Sequence, residues 1–206
     1  MSHPTFYDQA PRIRMHDPLA ALLGASDDGL LEYSYLDAVR LAGHSCPTVA
    51  GAFLVARSAT MALFPDGPAM RGEIDVRMPA PEAEGTNGVI AQVLTLVTGA
   101  AAANGFHGIG GRFVRQHLLR FSDVSHASAI GFRRRDNAAA VSVELDLRSI
   151  PAPPNLRELL AAAIDPAAST AQRAEFARVW QERVRTLLLE HADDPEVLRV
   201  TRIPCS

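Results

Sequence analysis

The sequence predicts an α+β fold: a mixed or antiparallel sheet packed by two buried helices, with a helical C-terminal region. Three observations predict it. Residues 48–63 and 89–102 are apolar almost all round, the pattern of helices covered on most sides. Residues 71–78 and 139–147 alternate instead, with Ile74, Val76 and Met78 opposite Glu73, Asp75 and Arg77, the period of half-buried strands. After a proline-rich connector at 151–154, residues 156–164 and 171–191 carry amphipathic helical spacing. The expected organisation is a core over 1–150 and a helical extension with a terminal strand over 151–206.

In chain order, the segment to about Leu31 reads as irregular with one short helix, which Asp17 caps and Pro18 opens. Ser34 caps a second helix, with Asp37 three residues later as in a capping box, running to about Ala42. Pro47 suits the first turn of the next helix, where its missing N–H has no partner to lose. Arg57 is the lone charge of that helix, and Val49, Phe53, Ala56, Thr60 and Leu63 trace one stripe. The turn Phe64-Pro65-Asp66-Gly67-Pro68 ends it. Thr86-Asn87-Gly88 is placed to cap the second apolar helix, and Asn104-Gly105 to stop it. The loop Gly105-Phe106-His107-Gly108-Ile109-Gly110-Gly111 then holds four glycines in seven residues, enough to bring backbone close to a ligand. Strands are expected over 113–121, 127–134, 139–147 and 197–203, with Asp136-Asn137 turning the second into the third.

Composition narrows the chemistry. The 206 residues are 48% hydrophobic and 21% charged with a formal net charge of -3, so no nucleic-acid footprint is visible. All 20 basic residues are arginine, which excludes a Schiff-base lysine, a phosphate-loop lysine and a lysine general base. The run Arg133-Arg134-Arg135 reads as a solvated strand end. The two cysteines, Cys46 and Cys205, make no disulfide framework. No secretory leader pattern opens the sequence and no apolar stretch is long enough for a membrane span, so a cytoplasmic protein is the expectation.

The chemistry-bearing constellation is Gly43-His44-Ser45-Cys46-Pro47. A cysteine at a helix start faces free backbone N–H groups and the positive end of the helix dipole, which favour a negatively charged sulfur. His44, two residues earlier in extended chain, can turn its ring to the same side. Together they supply two ligands for zinc or another transition metal, which normally takes three or four protein groups. His107 in the glycine-rich loop is the leading third candidate, followed by His126 and His117, with Glu73 and Asp75 as ligands or supporting partners. Against this stands the ordinary use of cysteine as a small buried hydrophobe.

These residues resemble a family. Gly43-His44-Ser45-Cys46-Pro47 with Gly51 looks like the Gly-His-x-Cys-Pro-Gly…Gly signature of the formylmethanofuran dehydrogenase FmdE-like family. Arg71-Gly72-Glu73, Asn87-Gly88-Val89-Ile90-Ala91-Gln92, Val97-Thr98-Gly99 and Gly111-Arg112 resemble its later motifs in the same order, over about residues 35–125. Asn87 stands where the family has aspartate, Ala100 where it has cysteine, and Arg112 where it has lysine. The C-terminal cysteine-rich zinc finger of many members is missing. The resemblance implies an α+β core, a homodimer, and a metal near His44 and Cys46; it carries over no reaction.

Three functions are therefore weighed. The first is a metal- or metallocofactor-binding protein using His44, Cys46 and His107, with His107, Gly108, Asn87 and Arg112 lining the ligand. The second is a thiol-dependent enzyme in which Cys46 is the nucleophile or redox group and His44 the base, with Asn87 and loop amides as oxyanion donors. The third is a haem-binding module with one axial histidine or cysteine and Arg112 or Arg115 pairing with carboxylates.

Overall fold

The computed structural model describes residues 3–124 and 128–204. His126 and Cys205 lie outside the described residues. The architecture is α+β, as expected from the alternation of helical and strand periods. Its N-terminal part is more regular than expected: helix α1 (Phe6–Gln9), strand β1 (Ile13–His16), helix α2 (Pro18–Leu22) and strand β2 (Leu30–Tyr33) follow one another. Four-residue strands are too short for a period of two to stand out, although Ile13 and Met15 are buried while Arg14 is exposed. β1 pairs antiparallel with β2 and parallel with β3 (Ala69–Met70), giving a three-stranded sheet of order β2-β1-β3.

Helix α3 (Tyr35–Ala42) starts at the capping box read from the sequence, with Ser34 N–H donating to Asp37 Oδ2 at 2.8 Å. Helix α4 (Pro47–Leu63) is the centre of the molecule. Val49, Phe53, Leu54 and Ala56 are fully enclosed, and burying each large side chain contributes roughly 1.5–3 kcal/mol. Gly51 lies so close to Leu145 that an ideal Cβ would fall 2.2 Å from Leu145 Cδ2, so the missing side chain brings α4 down onto the sheet. Helix α5 (Asn87–Thr98) packs along α4 and reaches β1. It stops at Gly99 rather than at Asn104-Gly105. Gly99 takes a left-handed φ of 73°, and the Arg71 guanidinium donates to the carbonyls of Leu96 (3.0 Å) and Val97 (3.2 Å), satisfying groups that a helix end leaves unpaired.

The larger sheet has the order β5-β4-β6-β7-β8, built from β4 (Ile74–Arg77), β5 (Leu119–Arg120), β6 (Ile130–Arg134), β7 (Ala140–Leu145) and β8 (Leu198–Ile203). β4–β5 is parallel and the other pairs are antiparallel, so the sheet is mixed. Ile74, Val76, Phe132, Val141 and Val143 point into the core, with Asp75, Arg77, Arg133 and Ser142 on the other face. The strand expected over 113–121 shrinks to β5, because Phe113 and His117 adopt φ values of 60° and 61°, which no ladder accommodates. Helices α6 (Leu156–Ile164) and α7 (Thr170–Glu190) form a hairpin. Val184, Leu187 and Leu188 of α7 are buried, and α7 packs on α4. Arg57, the lone charge of α4, donates to Asp193 Oδ1 at 2.6 Å and anchors the chain beyond α7. No helix among the described residues is long and apolar enough to cross a membrane.

Candidate functional site

Cys46 occupies the N-cap of α4. Its Sγ accepts from Val49 N–H at 3.4 Å and the residue keeps 8% exposure. His44 is exposed. Its Nδ1 lies 3.0 Å from Ala42 O, and a carbonyl only accepts, so Nδ1 is the donor and the neutral ring would offer Nε2 as its ligating nitrogen. A backbone carbonyl holding the other ring N–H is the usual support of a ligating histidine.

Ser45, between these two, was not singled out in the sequence, yet the structure gathers the C-terminal region onto it. Trp180 Nε1–H donates to Ser45 O at 2.8 Å, and Gln181 Nε2 reaches the same oxygen at 3.4 Å. Ser45 Oγ donates to Gln181 Oε1 (3.0 Å), which also accepts from Tyr7 OH (3.1 Å), leaving Tyr35 OH to donate to Ser45 Oγ (2.8 Å). Tyr35 is fully buried, and burial raises its phenol above its ordinary value despite the bond to Ser45. Helix α7 is thus a strap over the segment that carries Cys46. Trp180→Phe removes the indole N–H bond and some of the packing of this half-buried ring, and is expected to cost about 1–3 kcal/mol while speeding alkylation of Cys46 by iodoacetamide. An unchanged alkylation rate would refute the strap.

The remaining candidates lie apart from this segment or are occupied. Asn87 spends its amide on its own loop, donating to Glu84 O at 2.9 Å and Pro81 O at 3.3 Å. His107 is exposed on the glycine-rich loop, and Gly108 packs against the Arg112 carbonyl. That loop closes as a tight turn, in which Ile109 and Arg112 exchange backbone bonds of 2.9 and 3.0 Å across Gly110 and Gly111, both at positive φ. His117 is exposed nearby. Glu73 and Asp75 stand 4.0 and 3.9 Å from Arg135. Among the described residues no three His, Cys, Asp or Glu side chains group so as to hold a metal ion.

A second constellation centres on Asp17, which the sequence motifs do not include. Asp17, only 3% exposed, caps α2 through Leu19 N–H (2.9 Å) and binds two guanidiniums. Arg71 Nη1 is 2.8 Å from Oδ2 and Arg115 Nη2 is 2.7 Å from Oδ1. Burial alone would raise the Asp17 carboxyl. The Arg71 bond, the Arg115 charge and the Leu19 N–H outweigh it and hold the group below the ordinary carboxylate value. Burial conversely lowers Arg115, with Asp17 opposing. The one signal in the sequence was Asp17 before Pro18, which announces a cap and nothing of its partners.

The sequence matches no family model and no curated protein. Among solved structures, the chain is similar to that of a tungsten formylmethanofuran dehydrogenase FmdE-like protein from Syntrophus aciditrophicus. The TM-score is 0.47 and the identity 14%, over 84% of this chain and 74% of that one. The likeness is one of partial fold, and the chemistry of the site rests on this chain's own residues.

Proposed function

We propose that the protein binds a metal ion or metallocofactor at His44 and Cys46. The observation that supports this best is the placing of His44: an exposed ring, oriented by Ala42 O through Nδ1 with Nε2 uncommitted, two residues before a helix-capping sulfur. Two donors do not complete a shell, so the remaining ligands belong to the bound group or to His107 of a second copy in a homodimer. Zinc and other borderline metals suit an imidazole–thiolate pair. A thiol-dependent enzyme is less well supported, because among the described residues no hydrogen bond joins His44 to Sγ, which is held by Val49 N–H.

Cobalt(II) added to the purified full chain is expected to give a sulfur-to-metal charge-transfer band. Cys46→Ser should abolish the band with the thermal melt little changed, and His44→Ala should weaken binding roughly tenfold or more. A band that survives Cys46→Ser, or a wild-type chain that retains no metal, would overturn the assignment.

A further inference from the structure

On the side of the molecule that carries the glycine-rich loop lies an open cavity of about 530 Å³. Arg71, Arg112, Arg115, Arg135, Glu73 and Phe113 form much of its wall; neither His44 nor Cys46 does. Four guanidiniums in one wall need anions. Three carboxylates are at hand, and they do not serve the four equally. Asp17 is shared between Arg71 and Arg115. Arg71 is spent, since Nη1 binds Asp17, Nη2 the Leu96 carbonyl and Nε the Val97 carbonyl. Glu73 and Asp75 approach Arg135 only at 4.0 and 3.9 Å in exposed positions, contacts of little strength. Arg112 has no carboxylate partner among the described residues; its guanidinium rests 4.9 Å from the centre of the Phe113 ring.

The second observation is independent of charge. The Arg115 side chain is 8% exposed, and its Nε–H is buried with no hydrogen-bond acceptor. Buried donors are almost always paired, and one left over calls for an explanation. Here it belongs to a side chain in the cavity wall. That Nε is itself closed to solvent, so the open donors of the wall are those of Arg112 and Arg135, both at exposed positions.

We propose that this cavity binds a small organic oxyanion, its carboxylate or phosphoryl group held by Arg112 and Arg135. Guanidinium forks match the paired oxygens of both groups, whereas a bare halide offers no such geometry. The cavity is large enough for an organic body behind the charged group, and Met70 and Val114 supply an apolar part of the wall. The site stands independently of the metal reading at His44 and Cys46.

The test uses the purified full chain with two probes, inorganic phosphate and citrate, each against sodium chloride at matched ionic strength. Either probe is expected to raise the melting temperature saturably, as a ligand of the native state does. A response to phosphate alone assigns the phosphoryl class, and to citrate alone the carboxylate class. Arg112→Gln and Arg135→Gln, both at exposed positions, are expected to fold normally and to weaken binding about tenfold each. Cys46→Ser is expected to leave it unchanged, which separates this site from the metal site. If neither probe does more than chloride, or if both glutamine variants bind like the wild type, the proposal fails.

Discussion

Replacing Asp17 by alanine is expected to lower the free energy of unfolding by about 3–5 kcal/mol, the usual consequence of removing one member of a buried ionic cluster. The carboxylate is 3% exposed and joins three elements: the start of α2, the Arg71 segment and the Arg115 loop. Without it Arg115, itself 6% exposed, retains a buried positive charge with no counter-charge in contact. Asp17→Asn keeps an acceptor for Leu19 N–H and removes only the charge, so its cost should be intermediate. Coupling to Arg115 is tested by combining Asp17→Ala with Arg115→Met: the pair should be less destabilised than the sum of the single changes. Urea unfolding of the four chains measures this, and a loss of less than about 1 kcal/mol for Asp17→Ala would show that the cluster contributes little. The same group predicts the acid behaviour. Its folded-state value is lowered relative to the unfolded chain, so its stabilisation is fully present above the ordinary carboxylate value of about 3.9. It is lost as pH falls through the lower, folded value. Asp17→Asn should therefore flatten the acid limb of the stability curve.

Gly72→Ala is expected to cost about 2–4 kcal/mol, a sum of backbone strain and a displaced ion pair. Gly72 holds φ at 84°, and an ideal Cβ would sit 1.0 Å from Arg115 Nη1 and 2.1 Å from Cζ. The guanidinium therefore lies across the bare Cα on its way to Asp17. In a chain that already carries Arg115→Ala, the steric part vanishes and only the left-handed strain remains, about 1–2 kcal/mol. Equal costs in the two backgrounds would mean that the clash is not what selects glycine here. Equilibrium unfolding in the two backgrounds gives the comparison directly.

The contrast between these residues and Cys46 shows what was legible in the sequence. Cys46 at a helix start could be read from Pro47 and the apolar run behind it, because caps and first turns are decided by neighbours a few residues away. The inward face of β4 could be read from the alternation of Ile74 and Val76 with Asp75 and Arg77 for the same reason. The pairing of Arg115 with Asp17 could not be read, since the two lie 98 positions apart, and the sequence offered Arg115 only as a partner for a ligand's carboxylates. Nor could the strap on Ser45, where Trp180 and Gln181 reach across 135 and 136 positions. The end of α5 is hidden from the sequence for a related cause. Gly99 could end the helix, but what favours the stop is Arg71, 26 residues before Val97.

The sequence by itself determined the α+β class, the two apolar helices, the capping box at Ser34 and the place of His44 and Cys46 before α4. Each follows from periodicity or from chemistry within one turn of the chain. Only the tertiary structure decided which cations share Asp17 and what covers Ser45. Those depend on desolvation and on contacts between distant segments, and a linear order of residues carries neither the burial nor the distance.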